Sequence, residues 1–478
     1  MKPIPGGQYR PLTEDGIRKI LEGSFTILSE IGIEVHSRLA FEAFQKRGAL
    51  CDPAKRLVKL PRSMVEDAIA KAPKRIVLHG REEKHDIYCE GKNVHFGTCG
   101  TILNVVDLET DQVRPTTLQD VRDVARLLDA LENIHFVVIP PYPNELPQTE
   151  VDINRFHSTI LNCSKHVAGS TFTLKGTLDI IKMAEMIAGS PKALKERPFI
   201  SFLTALVSPL KIDELYGDIL CNLAKAGMPI HLSSEPTAGV TSPITIAGLL
   251  TGLTAEALSG LTLAQTINPG TPVIYAISGS SPDLKTMGFV GGAVENGLMS
   301  AGGTAIAQHL NLPNYTLGGM SDSKVVDIQN GYERSIINLL IGLSGSNFIH
   351  AAAGVTEFAT LISYKQYVID NEILGMVMRA VRGIEVTDET IALDVYRRVG
   401  PGGNFLADPH TVQWMRREHF VPKLSDRQLR VTWEKSGKPT AEQKAKAMAK
   451  QILKEHKPLG LPKALNDQLR KIFPEIKP

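Results

Sequence analysis

The sequence predicts an α/β protein: a closed (β/α)8 TIM-type barrel with an N-terminal helical segment and a C-terminal helical extension. Three observations point there. From residue 94 onward, short apolar or β-branched runs alternate with stretches of helical period, the pattern of a parallel sheet covered on both faces. Eight such runs recur at spacings of roughly 25–45 residues, the number that closes a barrel. The first run continues as "HFGTCGTILNVVDLETDQV", which reads as a strand followed by a hairpin. An open doubly wound sheet would need a Gly-rich phosphate turn at that place.

Taken in order, residues 1–93 form the N-terminal helical segment packing on the barrel, 94–360 the barrel, and 361–478 the C-terminal helical extension. The predicted strands are "VHFGTC" (94–99), "HFVVIPP" (135–141), "KHVAGST" (165–171) and "FISFLTALVSP" (199–209), then "PIHLSSE" (229–235), "PVIYAISG" (272–279), "TAIAQHLNLP" (304–313) and "FIHAAAG" (348–354). Helical stretches such as "TLQDVRDVARLLDAL", "KIDELYGDILCNLAKAG" and "DIQNGYERSIINLLIGLSG" fit between them. In the extension, "YKQYVIDNEILGMVMRAVRGI" predicts a helix, and "PTAEQKAKAMAKQILKEH" a charged helix with a solvated face.

Composition narrows the class. At 478 residues and 43% hydrophobic content the chain buries a large core, and a net charge of +2 gives no field that would draw nucleic acid or a membrane surface. Five scattered cysteines without a CxxC suit reduced thiols, and the start "MKPIPGGQYRPLTEDGIRKILEG" has no apolar signal core; together they predict a cytoplasmic protein. "ITIAGLLTGLTAEALSGLTLAQTI" carries Glu256 and polar residues at helical spacing, so it predicts a buried helix rather than a membrane span. A homo-oligomer is expected at this size.

In a barrel, chemistry sits at the C-terminal ends of the strands. Thr98, Tyr142, Ser170, Thr171, Ser233, Glu235, Ser278, Gln308 and His350 collect there. Each also reads as a loop start or a helix cap. His231, His309 and His350 fall on three predicted strands, yet no HExxH or Cys/His pair at ligand spacing occurs, so no metal ligand is assigned. Lys165 and Lys324 are poorly placed for a Schiff base. No GxGxxG, GxxxxGK[ST] or GxSxG appears, which removes the common nucleotide-binding and hydrolase readings. "GGMSDSKVVDIQNGYE" (318–333) is read as the seventh loop and the start of its helix. Gly318 and Gly319 let the backbone turn, Ser321 or Asp322 caps the helix, and Lys324 and Asp327 are left without a role.

Several long motifs then converge: "FGTCGTILNVVDLETDQVRPTTLQDV", "VSPLKIDELYGDIL", "GFVGGAVENGLMSAGGTAIAQHLNLP", "GGMSDSKVVDIQNGYE" and "GSNFIHAAAG". Over nearly its whole length the chain resembles the trimethylamine:corrinoid methyltransferase superfamily. The resemblance implies a barrel and methyl transfer from a methylamine to the cobalt of a separate corrinoid protein. The archaeal trimethylamine enzymes of that family carry pyrrolysine. Every position here is a standard residue, so the likeness is to the non-pyrrolysine branch, which is glycine betaine:corrinoid methyltransferase-like.

The resemblance therefore implies an enzyme that moves a methyl group from a quaternary amine, glycine betaine first, to Co(I) of a cognate corrinoid protein, leaving dimethylglycine. The alternatives are carnitine, proline betaine or γ-butyrobetaine by the same chemistry, or a zinc-dependent barrel methyltransferase. The chain itself is expected to bind no cofactor, the cobalamin being carried by the partner. A quaternary nitrogen already bears its charge, so no catalytic acid or nucleophile is assigned and the protein supplies positioning and electrostatics. Aromatic faces suit such a cation. Phe96, Tyr142, Phe172, Tyr275, Phe348 and Phe358 are the candidates, with most expected to be core. His350, Gln308 or loop backbone N–H groups are expected to donate to the substrate's carboxylate, His350 first. Asp322, Ser323 and Lys324 are expected to order the loop or shape the cavity rim.

Overall fold

Eight strands run parallel and close on themselves in chain order in the computed structural model, which describes residues 3–478. They are β1 (Phe96–Thr98), β2 (Phe136–Val138), β3 (His166–Ser170), β4 (Ile200–Ala205), β5 (Ile230–Ser233), β6 (Val273–Ile277), β7 (Asn314–Leu317) and β8 (Phe348–Ala353). All their residues are buried except the half-buried Ser170 and Ala205. Side chains point alternately into the barrel and out toward the helices, and both environments are apolar. That is why the runs read as continuous rather than alternating.

The helices that follow the strands are α1 (Leu118–Ala130), α2 (Gln148–Asn162), α3 (Leu174–Ala188), α4 (Glu214–Ala226), α5 (Ile246–Ile267), α6 (Val294–His309), α7 (Ile328–Ser344) and α8 (Tyr364–Val381). Local chemistry sets several of their ends. Thr117 and Asp120 close a capping box on α1, Thr173 caps α3 and Asp213 caps α4. Gly189, Gly227 and Gly345 adopt left-handed backbone at the ends of α3, α4 and α7, where a side chain would be strained. Helix α5 is long and apolar enough by composition to cross a membrane, but it is largely buried against its neighbours.

One strand lies elsewhere than the sequence predicts. Residues 304–309 of the expected seventh strand complete α6, and β7 is "NYTL", Asn314–Leu317. The small residues of "SAGGTAIAQH" serve close packing of helix on strand. A Cβ built on Gly303 would lie 1.9 Å from Cγ2 of Ile277 on β6. Gly303→Val should therefore force α6 off the barrel and lower stability by about 2 kcal/mol, read from urea denaturation. Gln308 moves with this correction. It sits on the last turn of α6, away from the strand tops, and its Nε2 donates to the carbonyls of Ser344 (3.0 Å) and Gly345 (3.3 Å).

The barrel interior is filled by Phe136, Val138, Ala168, Leu203, Ile274, Ala276, Tyr315 and Phe348. A hairpin, Ile76–Leu78 with Ile87–Cys89, adds Ile76, Leu78, Ile87 and Cys89 to that cluster and plugs the end where the strands begin. Lys165 is buried near the same end, its Nζ donating at 2.6 Å to the carbonyls of Leu128, Leu131 and Ile134 around the end of α1. Besides helices, the chain before β1 contributes three strands (Ile33–Val35, Leu50–Asp52, Leu57–Lys59) that join Lys211–Ile212 in a small sheet. After β8, the helix Ala441–Glu455 buries Ala445 and Ala449 in the core that holds Leu128 of α1 and Val377 of α8.

Candidate functional site

A cavity of about 460 Å³ opens at the C-terminal ends of the strands, within the range of roughly 300–1,000 Å³ usual for small-molecule sites. Gly100 and Thr101 after β1, Ser170 and Phe172 after β3, the end of β4 through Ser208, Ser233–Glu235 at β5 and His350 of β8 line it. Tyr216 enters from α4 and Thr241 from the loop after β5.

Glu235 is the distinctive group. It is exposed and belongs to the cavity lining. Enclosure by the walls raises its carboxyl above the ordinary carboxylate value; the Ser233 hydroxyl, 3.1 Å away, opposes the rise, and no cationic side chain does so among the described residues. The neighbouring Glu256 of α5 is different. It accepts from Leu210 N (2.8 Å), the Ser208 hydroxyl (2.8 Å) and the Ser234 hydroxyl, so its oxygens are already taken by donors of the protein. For Glu235 the Ser233 hydroxyl is the one hydrogen-bond donor among the described residues.

Two rings, Phe172 and Tyr216, share the cavity lining with it. Phe172 is held by its own backbone: Phe172 N and Thr173 N donate to the Asp152 carboxylate of α2. Arg155 lies beneath that ring at 5.3 Å, and Tyr142 meets its edge at 5.5 Å. The Arg155 guanidinium is committed, donating to Ile139 O (2.7 Å), Pro141 O (3.2 Å), Ser170 O (3.3 Å) and Thr101 Oγ1 (3.0 Å). It therefore ties three loops together, and burial lowers its pKa to about 10. His350 is buried, pushed down to about 3 by desolvation, and so neutral. Its Nε2 accepts from Gly100 N at 3.2 Å, and its Nδ1 pairs with the Tyr315 phenol at 2.5 Å.

Among the eight residues expected at the substrate, Phe172 and His350 line this cavity. Both nitrogens of His350 are engaged, so it has no free N–H for a substrate carboxylate. Phe96 faces outward toward Gly342, and Tyr275 outward toward Thr254 of α5. Phe348 points inward at the start of β8, stacked on Phe136 at 3.6 Å within the core. Tyr142 stands behind Phe172, and Gln308 is on α6. Phe358 is 41% exposed at the tip of a hairpin, under the Lys324 amine at 4.1 Å.

The 318–333 stretch orders a loop and does not line this cavity. The Asp322 carboxylate takes the N–H groups of Gly291 and Gly292 at 2.8 Å each, and the Lys324 amine donates to Asp322 O. Ser323 bonds to Asp327, which is the actual cap of α7; Ser321 bonds to Glu333 instead. His309 lies at the end of α6 beside Glu14, far from a meeting of three imidazoles with His231 and His350. Glu235 and Ser170 were visible as polar residues at strand ends; Tyr216, which reaches in from a helix, had no such signal.

Comparison with known proteins gives a consistent picture. The family model described as trimethylamine methyltransferase (MTTB) matches residues 3–474. The chain is 35% identical over 472 residues to the trimethylamine methyltransferase MttB of Desulfitobacterium hafniense strain DCB-2, covering 99% of this chain and 95% of that protein. It is 34% identical over 464 residues to the glycine betaine methyltransferase of strain Y51, covering 97% and 96%. It is 32% identical to the trimethylamine methyltransferase MttB of Methanosarcina thermophila, covering 95% and 94%. Among solved structures, the monomethylamine methyltransferase MtmB of Methanosarcina barkeri superposes with a TM-score of 0.52 at 12% identity, over 94% of this chain and 89% of that one. At that identity the likeness is one of fold.

Proposed function

We propose that this chain, which belongs to the trimethylamine methyltransferase (MTTB) family, takes a methyl group from a quaternary amine, glycine betaine first, and passes it to the reduced cobalt of a separate corrinoid protein. The observation that carries the reading is Glu235, a carboxyl that lines the open volume together with Phe172 and Tyr216, with no cationic side chain acting on it among the described residues. A trimethylammonium group supplies the missing charge and presents methyl surface to Phe172 and Tyr216.

The rest of the lining favours a zwitterion over a simple amine. Thr101, Ser170 and Thr241, whose hydroxyls donate to no group among the described residues, line the volume, while the Thr204 hydroxyl donates to Tyr216 O. Trimethylamine has nothing for them, whereas a betaine has a carboxylate. The methyl acceptor, a corrinoid carried by the partner, supplies a strongly nucleophilic metal centre. Attack on the N-methyl carbon breaks the C–N bond, whose electron pair returns to nitrogen and releases a neutral tertiary amine. No proton moves in that step. The neutral, fully bonded His350 fits this, since it offers neither acid nor base. The chain's part is to hold the cation with one methyl directed outward through the strand ends.

The test mixes the enzyme with Co(I) corrinoid, free or on its protein, and a panel of methylated amines while following cobalt absorption. Methyl transfer from a quaternary amine, with little from trimethylamine, is expected. Preference for trimethylamine would refute the substrate assignment. One tightly held zinc per purified chain would instead favour a zinc-dependent mechanism.

A further inference from the structure

No lysine or arginine lines the strand-end cavity among the described residues, but one guanidinium lies just behind its wall. Arg155 of α2 is fully buried, and every acceptor it reaches is a neutral oxygen. Asp152, one turn earlier on α2, acts on it through space only, its oxygens being held by Phe172 N, Thr173 N and Thr173 Oγ1. A guanidinium can only donate, so Thr101 Oγ1, 3.0 Å from Arg155 Nη2, is the acceptor in that bond. The one proton of the Thr101 hydroxyl must then point elsewhere. Thr101 lines the cavity, and its hydroxyl donates to no group among the described residues. An oxygen that accepts from a cation is polarised, which makes its own proton the better donor. Ser170, tied to the same guanidinium through its carbonyl at 3.3 Å, lines the cavity beside it. Thr241 also accepts, from Thr237 N at 2.9 Å, but there the donor is a neutral amide.

Topology sets this hydroxyl against Glu235. Thr101 follows β1 and Glu235 follows β5, and in the closed ring of eight those two strands lie on opposite sides. The mouth therefore has a carboxyl on one side and a hydroxyl backed by a cation on the other. We propose that Thr101, oriented by Arg155, seats the carboxylate of a zwitterionic quaternary amine, so that the ligand lies across the barrel mouth with its ammonium on the Glu235 side. The Thr101 hydroxyl donates to the ligand. Arg155 is a positioning residue, which fixes the direction of that hydroxyl and places positive charge behind it. A cation without a carboxylate uses the Glu235 side alone.

This carboxylate seat rests on the quaternary-amine reading for its purpose, and its test separates the two. Calorimetry compares glycine betaine with tetramethylammonium, the same kind of cation without a carboxylate, on the parent and its variants. Thr101→Val should weaken glycine betaine by about ten-fold or more, the size of one lost hydrogen bond to a charged group, and leave tetramethylammonium within about two-fold. Thr101→Ser, which keeps the hydroxyl, should bind both as the parent does. Equal losses for the two ligands, or no loss for betaine, overturn the seat. Arg155→Met should show the same selective loss, and an equal loss of both ligands in a folded Arg155→Met overturns its positioning part; the Thr101 variants carry the test where that protein does not fold. The seat is also read without any amine. In threonine-methyl-labelled protein the Thr101 resonance, assigned by its absence in Thr101→Val, should shift as sodium acetate is added. A shift with acetate in a protein that binds neither amine upholds the seat and overturns the quaternary-amine reading. A Thr101 methyl silent to both acetate and betaine overturns the seat.

Discussion

Glu235→Gln should lower kcat/KM for a quaternary amine by about 100-fold, nearly all of it through KM. A unit charge pair at contact distance in a partly enclosed site is worth about 3–4 kcal/mol, enough for that factor. The split follows from the proposed reaction. The ammonium is fully charged in the bound substrate and loses its charge as the C–N bond breaks, so a fixed carboxylate favours the ground state over the transition state. Removing it weakens binding and leaves kcat level or slightly raised. A kcat that falls in step with kcat/KM would mean that Glu235 acts on the transition state, and the cation-holding role would fail.

The same substitution should make the empty protein more stable at high pH. Enclosure raises the Glu235 carboxyl above its unfolded-state value, so the folded chain binds that proton more tightly. The stability this contributes is complete below the unfolded pKa and is lost as pH rises through the raised folded value. Glutamine stays neutral throughout. The melting-temperature difference between variant and parent should therefore widen as pH increases, while cation binding by the parent strengthens over the same window. Gain of stability with loss of binding separates a functional carboxyl from a merely structural one.

Much of the barrel was legible because parallel strands buried on both faces leave long apolar runs with turn residues between them. Seven of the eight runs coincide with barrel strands. The eighth misled because "TAIAQH" is small and apolar for a different reason: α6 must approach Ile277 closely at Gly303. The same two-sided burial hid the site. In a barrel strand both faces read as apolar, so nothing in the sequence distinguishes outward Phe96 and Tyr275 from inward Phe348, or the start of a strand from its end. Polarity at strand ends was the better guide, since it marked Glu235 and His350. What it could not carry was the partner of each group. His350 looks like a free donor until Gly100 and Tyr315 are seen to occupy both nitrogens.

Asp370→Ala should be the most damaging single change away from the cavity, destabilising the protein by about 3–5 kcal/mol or preventing soluble expression. Arg334 of α7 and Asp370 of α8 are both 0% exposed and meet at 2.9 Å. Arg334 also donates to Asn330 Oδ1 (3.0 Å) and to Val355 O, while Asp370 accepts from Gly354 N (2.6 Å) and Gln366 Nε2 (2.9 Å). Removing the carboxylate strands a guanidinium where no water can reach it, and that uncompensated charge is the large cost. Arg334→Met with Asp370→Leu removes both charges and should recover about half of the loss. Full recovery is blocked because Gly354 N–H and Val355 C=O, just beyond β8, then lack partners. Urea midpoints for the parent, both single variants and the double variant close the cycle, with a coupling of about 2 kcal/mol or more expected. Additive effects would show that the pair does not act as a unit. A recovered double variant should still have weakened methyl transfer, because the freed backbone at Gly354 lies four residues from His350 and loosens the strand end that carries it.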